Sequence, residues 1–294
     1  MILKGSDIAQ AQIPLLEQAA QNIQNQIQTP VSLHIVSVGD DPASQVYIAM
    51  KKKKGAEIGI HVEIHKLDKD TDQKDIESLI TKLNQDVYVH GIIVQLPLPI
   101  QMNKDAILNM IHPLKDVDGL STTSQGLLIQ QNSTLVPCTP LGCLHLIKQV
   151  YPDVSGKTVT IIGRSRLVGI PLSLLLNQEN ATVTLCHSKT IDLKKHTLSA
   201  DIIVMACGKP QFLTQDMVSQ NAVVIDVGIS RLTSGKIVGD TDFENLYQHV
   251  KCITPVPGGV GPMTVLYLLI NTLNAASLQH NLPNISIESP STRP

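Results

Sequence analysis

Short apolar runs alternate with longer amphipathic stretches along almost the whole chain. The short, β-branched runs predict strands at 31–38, 62–67 and 91–96, and again at 159–162, 181–186, 202–205, 223–226 and 251–254. Between them the pattern predicts helices over about 7–28, 43–58, 72–84, 103–111, 141–150 and 265–276. Ser6 is placed to cap the first helix, and Pro14 should kink it or shift its start. Leu96-Pro-Leu-Pro-Ile100 should end the third strand, since proline cannot continue a central strand. Strands alternating with helices in both halves predict an α/β protein with mostly parallel sheets.

One stretch of the second half carries a ligand signal. The run Val159–Ile162 meets Gly163 at once, and a polar turn then leads through Val168-Gly169-Ile170-Pro171 into the apolar Leu172–Leu176. This reads as buried strand, tight turn and helix. The first N–H groups of such a helix lack partners and suit a phosphate. Only two glycines are present, so an ordinary strand-to-helix turn fits the loop equally well. Arg164 and Arg166 flank the turn, where a phosphate would want them. The next run, Ala181–Cys186, ends in His187-Ser188-Lys189, where an NAD site usually places an acid to hold the ribose hydroxyls. Neutral and basic residues there suit a 2′-phosphate, so the cofactor expected is NADP.

Composition narrows the class. At 294 residues the chain has room for about two domains. A 43% hydrophobic content and a formal charge of −2 describe a soluble protein with no bias toward nucleic acid or membrane. With no Trp, two Phe and five Tyr, base-stacking platforms lose ground. The five cysteines form no C-x-x-C, and the ten His fall into no metal spacing, so neither a disulfide framework nor a metal is expected. Reduced thiols and the absence of a signal-like start point to the cytoplasm. The Ser/Pro-rich tail from about 284 to 294 is expected to be disordered.

Candidate chemistry lies mainly in the first half. Tyr47 and Lys51 are four apart on a predicted helix and share a face, with Ser44 one turn earlier. A phenol beside an ammonium can pass protons, although Lys51-Lys-Lys-Lys54 also fits a solvated charge run. Gln95 closes a buried-looking strand, where parallel sheets bind ligands, but a backbone-satisfied Gln fits too. Lys115-Asp-Val-Asp-Gly119 reads as a turn with two exposed acids. Alternatively, Asp118 could grip a donor-donor edge such as an amidine.

Six segments then join. Val38-Gly-Asp-Asp-Pro-Ala-Ser44-Gln-Val-Tyr47-Ile-Ala-Met-Lys51, Gly91-Ile-Ile-Val-Gln95-Leu-Pro-Leu-Pro99, Lys115–Gly119, Pro137-Cys-Thr-Pro140, Gly163–Pro171 and Pro257-Gly-Gly-Val-Gly-Pro-Met-Thr264 occur in this order. Together they resemble the bifunctional methylenetetrahydrofolate dehydrogenase/methenyltetrahydrofolate cyclohydrolase family, over the chain up to about residue 276. Tyr47-x-x-x-Lys51 is also the short-chain dehydrogenase pair, but there it follows the glycine-rich loop instead of preceding it.

The resemblance implies two α/β domains with a cleft between them. Residues 1–120, completed by a C-terminal helix over 265–283, would form the folate-binding catalytic domain. Residues 140–262 would form a Rossmann-like NADP domain. Lys51 would be the central catalytic residue, Tyr47 would stack on the pterin, Gln95 would hold Lys51, and Asp118 would bind the pterin's amino-pyrimidinone edge. Ser44, Gly258 and Gly259 would support the substrate. Thr139, Gly163, Arg164, Ser165, Val168, Gly169, Ser188 and Ile229 would contact NADP. The family also implies tetrahydrofolate derivatives as partners and a homodimer.

Overall fold

The computed structural model describes residues 1–133 and 135–285. The expectation of a disordered tail falls, from residue 286 on, outside the described residues. In chain order the elements begin with α1 (Gly5–Ile27), β1 (Ser32–Val38), α2 (Pro42–Glu57), β2 (His61–Leu67), α3 (Gln73–Gln85), β3 (Gly91–Val94), α4 (Lys104–Asn109) and α5 (Thr122–Ile129). Next come α6 (Cys138–Lys148), β4 (Thr158–Ile162), α7 (Gly169–Gln178), β5 (Thr182–Cys186), α8 (Leu193–Leu198), β6 (Ile202–Met205) and β7 (Val223–Asp226). The hairpin β8 (Ser230–Arg231) and β9 (Ile237–Val238), α9 (Phe243–Leu246), β10 (Cys252–Ile253) and α10 (Val260–Gln279) complete the chain.

The contacts divide into two compact units. One gathers Met1–Gln10 with Thr139–Thr264, and the other gathers Ala11–Cys138 with residues 265–285.

In the unit that contains β1 the sheet is parallel, with order β2-β1-β3. A further parallel bridge joins Ile92 to Asp116, so the segment leading to Asp118 runs along the free side of β3. Val36 and Val38 of β1 and Ile92 and Val94 of β3 pack against Ile76, Ile80 and Leu83 of α3 in one core cluster. In the other unit five parallel strands run β10-β7-β6-β4-β5. In the unit's own chain order this is 2-1-3-4-5, a doubly wound arrangement whose switch point lies between β4 and β6. Leu3 is bound into this unit by its N–H to the Ile253 carbonyl at 2.8 Å.

Most predicted elements form, and the differences have local causes. Pro14 lies inside α1 and does not start it, because Leu16, Ala20 and Ile23 bury a face of the helix beyond the proline. Tertiary packing of that face outweighs the proline's cost of about 3 kcal/mol. β3 ends at Val94, two residues short of expectation, although Gln95 still donates its N–H to Val36 at 2.8 Å. α10 begins at Val260, inside the Gly/Pro-rich loop, since Pro262 falls in its first turn where its missing N–H costs little. Lys115–Gly119 is not an exposed turn: Lys115 and Asp116 are buried. Lys115 Nζ donates to the carbonyls of Leu83, Asn84 and Asp86 at 2.7–3.0 Å, satisfying the open end of α3. Among the described residues no helix is long and apolar enough to cross a membrane.

One buried histidine makes the fold acid-sensitive. His90 is fully buried, its Nδ1 accepts from the Ser32 N–H at 3.1 Å, and its Nε2 has no partner among the described residues. Burial, helped by His280 and Lys115, lowers its pKa from 6.5 to about 4. Between those values the unfolded chain binds a proton that the folded chain refuses, so stability falls as pH drops through the window. The loss reaches about 3 kcal/mol at pH 4. Denaturant unfolding at pH 7 and pH 4 should show a smaller difference for His90→Asn, whose Oδ1 can take the Ser32 bond. An equal difference in both proteins refutes the assignment.

Candidate active site

Lys51 sits in the third turn of α2, and the start of that helix is locked in place. Asp41 caps it, accepting from the Ser44 N–H at 2.8 Å and the Ser44 hydroxyl at 2.7 Å. The Ser44 hydroxyl also lies 3.2 Å from the Leu96 carbonyl, which joins the helix start to the loop after β3. Ser44 is therefore spent on backbone and cap. Tyr47 and Lys51 follow on the same face; Tyr47 is half-buried, and its pKa is raised by that burial. The lysine run splits by face: Lys51 is only 8% exposed, whereas Lys52 and Lys53 face solvent.

Gln95 meets Lys51 from the carboxyl end of β3. Lys51 Nζ donates to Gln95 Oε1 at 2.9 Å, and Gln95 Nε2 donates to the Leu96 carbonyl at 2.8 Å. The second bond fixes which way the amide faces, so its oxygen is presented to the lysine. Asp118 lies near enough for each charge to act on the other. Burial pulls Lys51 below its ordinary range, against the raising effect of Asp118. Burial also pushes Asp118 up, against the lowering effect of Lys51. Both residues thus resist being charged, and a lysine so placed loses its proton cheaply.

Three residues that sequence reasoning left without a role order the chain around Asp118. Cys138 Sγ donates to the Val117 carbonyl at 3.2 Å and is hydrogen-bonded to the Asp118 side chain. Asn271 of α10 donates to the carbonyls of Val117 and Val136, both at 2.8 Å, and approaches Cys138 Sγ at 3.5 Å. Asp116, 1% exposed, accepts from the Ser121 N–H at 2.9 Å and the Ser124 hydroxyl at 2.7 Å, ordering the loop beyond Gly119. Cys138 was visible in the Pro137–Pro140 segment, but nothing in the spacing tied Asn271 to it.

The other unit holds a cavity of about 360 Å³ at the carboxyl ends of β4, β5 and β6, the crevice expected at the switch point. Gly163, Arg164, Ser165, His187, Ser188 and Cys207 are among its lining. A Cβ on Gly163 would stand 2.0 Å from the Ala206 carbonyl, and one on Gly169 would stand 1.8 Å from the Gly163 carbonyl. Only glycine lets the turn lie this close to β6 and to α7, as a phosphate cradle needs. Ser165 Oγ accepts from the Val168 N–H at 3.2 Å, and its carbonyl accepts from the Ile170 N–H at 3.1 Å, so it closes the turn onto the helix start. Arg164 and Ser188 are exposed at the cavity, and no acid lies among its lining residues. A dinucleotide carrying an extra phosphate fits this set.

Asp240 shapes the same cavity unannounced by sequence. Its Oδ2 accepts from the N–H groups of Cys207 and Gly208, both at 2.8 Å. Buried Asp226 in turn accepts from the N–H groups of Asp240 at 2.9 Å and Thr241 at 2.8 Å. The remaining expected residues do not line the cavity. Thr139 Oγ1 is hydrogen-bonded to Thr264 Oγ1 at 3.0 Å. Ile229 is exposed on the chain after β7. Gly258, with φ +101°, and Gly259, 2.5 Å at its virtual Cβ from the Pro255 carbonyl, form the turn before α10.

One unit that is doubly wound, with a cavity at its switch point, and one α/β unit with a buried lysine together define a two-domain nucleotide-dependent enzyme. Residues 3–118 match the family model for the tetrahydrofolate dehydrogenase/cyclohydrolase catalytic domain, and residues 137–280 match its NAD(P)-binding domain. The chain belongs to the tetrahydrofolate dehydrogenase/cyclohydrolase family. It is 51% identical to the bifunctional protein FolD of Caldicellulosiruptor saccharolyticus over 85% of this chain and 91% of that one. The crystal structure of the bifunctional FolD of Campylobacter jejuni superposes with a TM-score of 0.92, at 43% identity, over 95% of this chain and 99% of that one. The Trypanosoma brucei enzyme, solved with NADP cofactor and inhibitor, gives a TM-score of 0.90 at 33% identity, over 95% and 97% of the two chains.

Proposed function

We propose that the chain oxidises 5,10-methylenetetrahydrofolate to 5,10-methenyltetrahydrofolate with NADP⁺ and hydrolyses the product to 10-formyltetrahydrofolate. The observation that carries this reading is the buried Lys51, held by Gln95 and facing the charge of Asp118. Residues 1–120 with 265–283 take the folate, and residues 140–262 take the cofactor. Bound NADP⁺ supplies the hydride acceptor.

The folate side follows from the side chains. Asp118 accepts two parallel N–H donors from the pterin's amino-pyrimidinone edge. The Tyr47 ring stacks on the pterin and its one-carbon bridge. In the hydrolytic step water adds to the methenyl carbon and Lys51 takes the proton that the water gives up. One C–N bond then breaks, the ring nitrogen keeps the electron pair and is protonated, and the formyl group stays on the other nitrogen. Gln95 holds the lysine toward the reacting carbon, and Ser44 ties the start of α2 to the loop after β3.

On the cofactor side, Gly163 and Gly169 let the backbone approach, and the helix start at Val168 offers N–H groups to phosphate. Arg164, Ser165 and Ser188 hold phosphate oxygens, Thr139 lies near the nicotinamide, and Ile229 contacts the cofactor. The family resemblance supports a homodimer, and the five free thiols support the cytoplasm as its compartment.

The test follows reduced cofactor and methenyl product separately, with methylenetetrahydrofolate and either NADP⁺ or NAD⁺. Reduction with little methenyl build-up is expected, and no turnover with either cofactor refutes the reading. In the same assay Ser188→Asp should cut the preference for NADP⁺ over NAD⁺ about tenfold, by repulsion of the 2′-phosphate. An unchanged preference removes Ser188 from the phosphate site.

A further inference from the structure

Three potential metal ligands converge on the β1-β2-β3 sheet, on side chains the proposed chemistry does not use. β1 and β2 run parallel with His34 opposite Glu63 and Val36 opposite His65. Alternation along a strand puts Glu63 and His65 on one face, and direct pairing puts His34 on that face too. His34 Nδ1 and His65 Nε2 stand 2.9 Å apart. Glu63 reaches both, with Oε1 3.7 Å from His65 Nε2 and Oε2 3.9 Å from His34 Nδ1. The ligand atoms of all three residues lie within 4.8 Å of one another.

We propose that His34, Glu63 and His65 form a binding site for one divalent transition-metal ion such as Zn²⁺, clamping the edge strand β2 to β1. The distances decide the case. Nitrogen and oxygen ligands about 2.1 Å from a tetrahedral ion lie about 3.3 Å from each other. The observed separations of 2.9–3.9 Å bracket that value, so small side-chain rotations suffice. The scaffold is prepared: His34 is buried, and its ring stacks on that of His65 with centroids 5.2 Å apart and planes 17° apart. Glu63 is exposed, which leaves the fourth position to water.

The donor set selects the ion. Two imidazoles and one carboxylate favour Zn²⁺, Co²⁺ or Ni²⁺ over Mg²⁺ and Ca²⁺, which want oxygen throughout. The sequence concealed the site because its two histidines are 31 residues apart and meet only through strand pairing. Without an ion, the same two nitrogens share one proton in an N–H···N bond, and that is the competing account.

Titration of the chelator-stripped full chain with Co²⁺, read by its visible absorption, and with Zn²⁺, read by calorimetry, separates the two. One ion per chain is expected, with the absorption of a four-coordinate cobalt centre. His65→Ala and Glu63→Gln should each weaken binding at least tenfold and leave the NADP⁺ dissociation constant unchanged. Glu63 is exposed, so its variant tests the site even if His65→Ala fails to fold. Absence of stoichiometric binding overturns the proposal. Binding that survives both substitutions also overturns it and puts the ion on other donors, such as the half-buried Cys207.

Discussion

Lys51→Met is expected to lower methenyltetrahydrofolate hydrolysis on the order of 10³-fold while NADP⁺ binds as before. Methionine fills much of the lysine's volume, and burial already disfavours the charged form of Lys51, so the fold loses little with the ammonium. The variant should therefore fold, with Gln95 Oε1 losing the donor it accepts from at 2.9 Å. The pH profile carries a second readout. Burial holds Lys51 below its ordinary range, so the neutral amine gains population as pH rises through that lowered value. Hydrolysis that depends on the neutral amine rises over the same window, and Lys51→Met should flatten that limb. The measurement is loss of the methenyl chromophore together with NADP⁺ titration of the same preparation. Hydrolysis within a few-fold of the parent protein would remove Lys51 from the proton-handling role.

The second large effect belongs to the cavity at the carboxyl ends of β4, β5 and β6. Gly163→Ala is expected to weaken NADP⁺ binding on the order of 10²-fold, since a displacement of about 1 Å at a positioning element costs that much. Its Cβ would lie 2.0 Å from the Ala206 carbonyl, and φ at this residue is +124°, where side chains are strained. Either the turn or the end of β6 must move, and both line the cavity. A control separates this from a general cost of adding a methyl group. Gly126 lies in α5 with nothing within 4 Å of its virtual Cβ, so Gly126→Ala should be neutral or stabilising by up to about 1 kcal/mol. Cofactor titration and thermal unfolding of both variants provide the check. Unaltered NADP⁺ affinity in Gly163→Ala would mean that the turn does not cradle the cofactor.

These predictions were legible to different degrees. The strands β6 and β7 fall at the predicted residues, because a fully buried parallel strand is a continuous apolar run whatever surrounds it. The strand-turn-helix at Gly163 was equally plain, since glycine, turn and apolar helix are consecutive in the chain. Helix ends were less so. α10 starts five residues before its expected position, because proline is permitted in a first turn and composition alone reads it as loop. Lys115 and Asp116 looked like surface charges until the end of α3 and the loop at Ser121–Ser124 supplied their partners.

What the sequence by itself determined is the set of local objects: alternating strands and helices, the glycine turn, the absence of an acid after β5, and six ordered segments that resemble one family. Those depend on residues near one another in the chain, where periodicity and turn chemistry act. Only the tertiary structure decided which charges are hidden and which distant groups meet. It buried Lys51 against Gln95, tied Asn271 to the carbonyl of Val117, set Asp240 against the N–H of Cys207 and brought His34 to His65. Each of these pairings joins residues more than 30 positions apart. Burial and strand register create them, and a one-dimensional pattern carries no record of either.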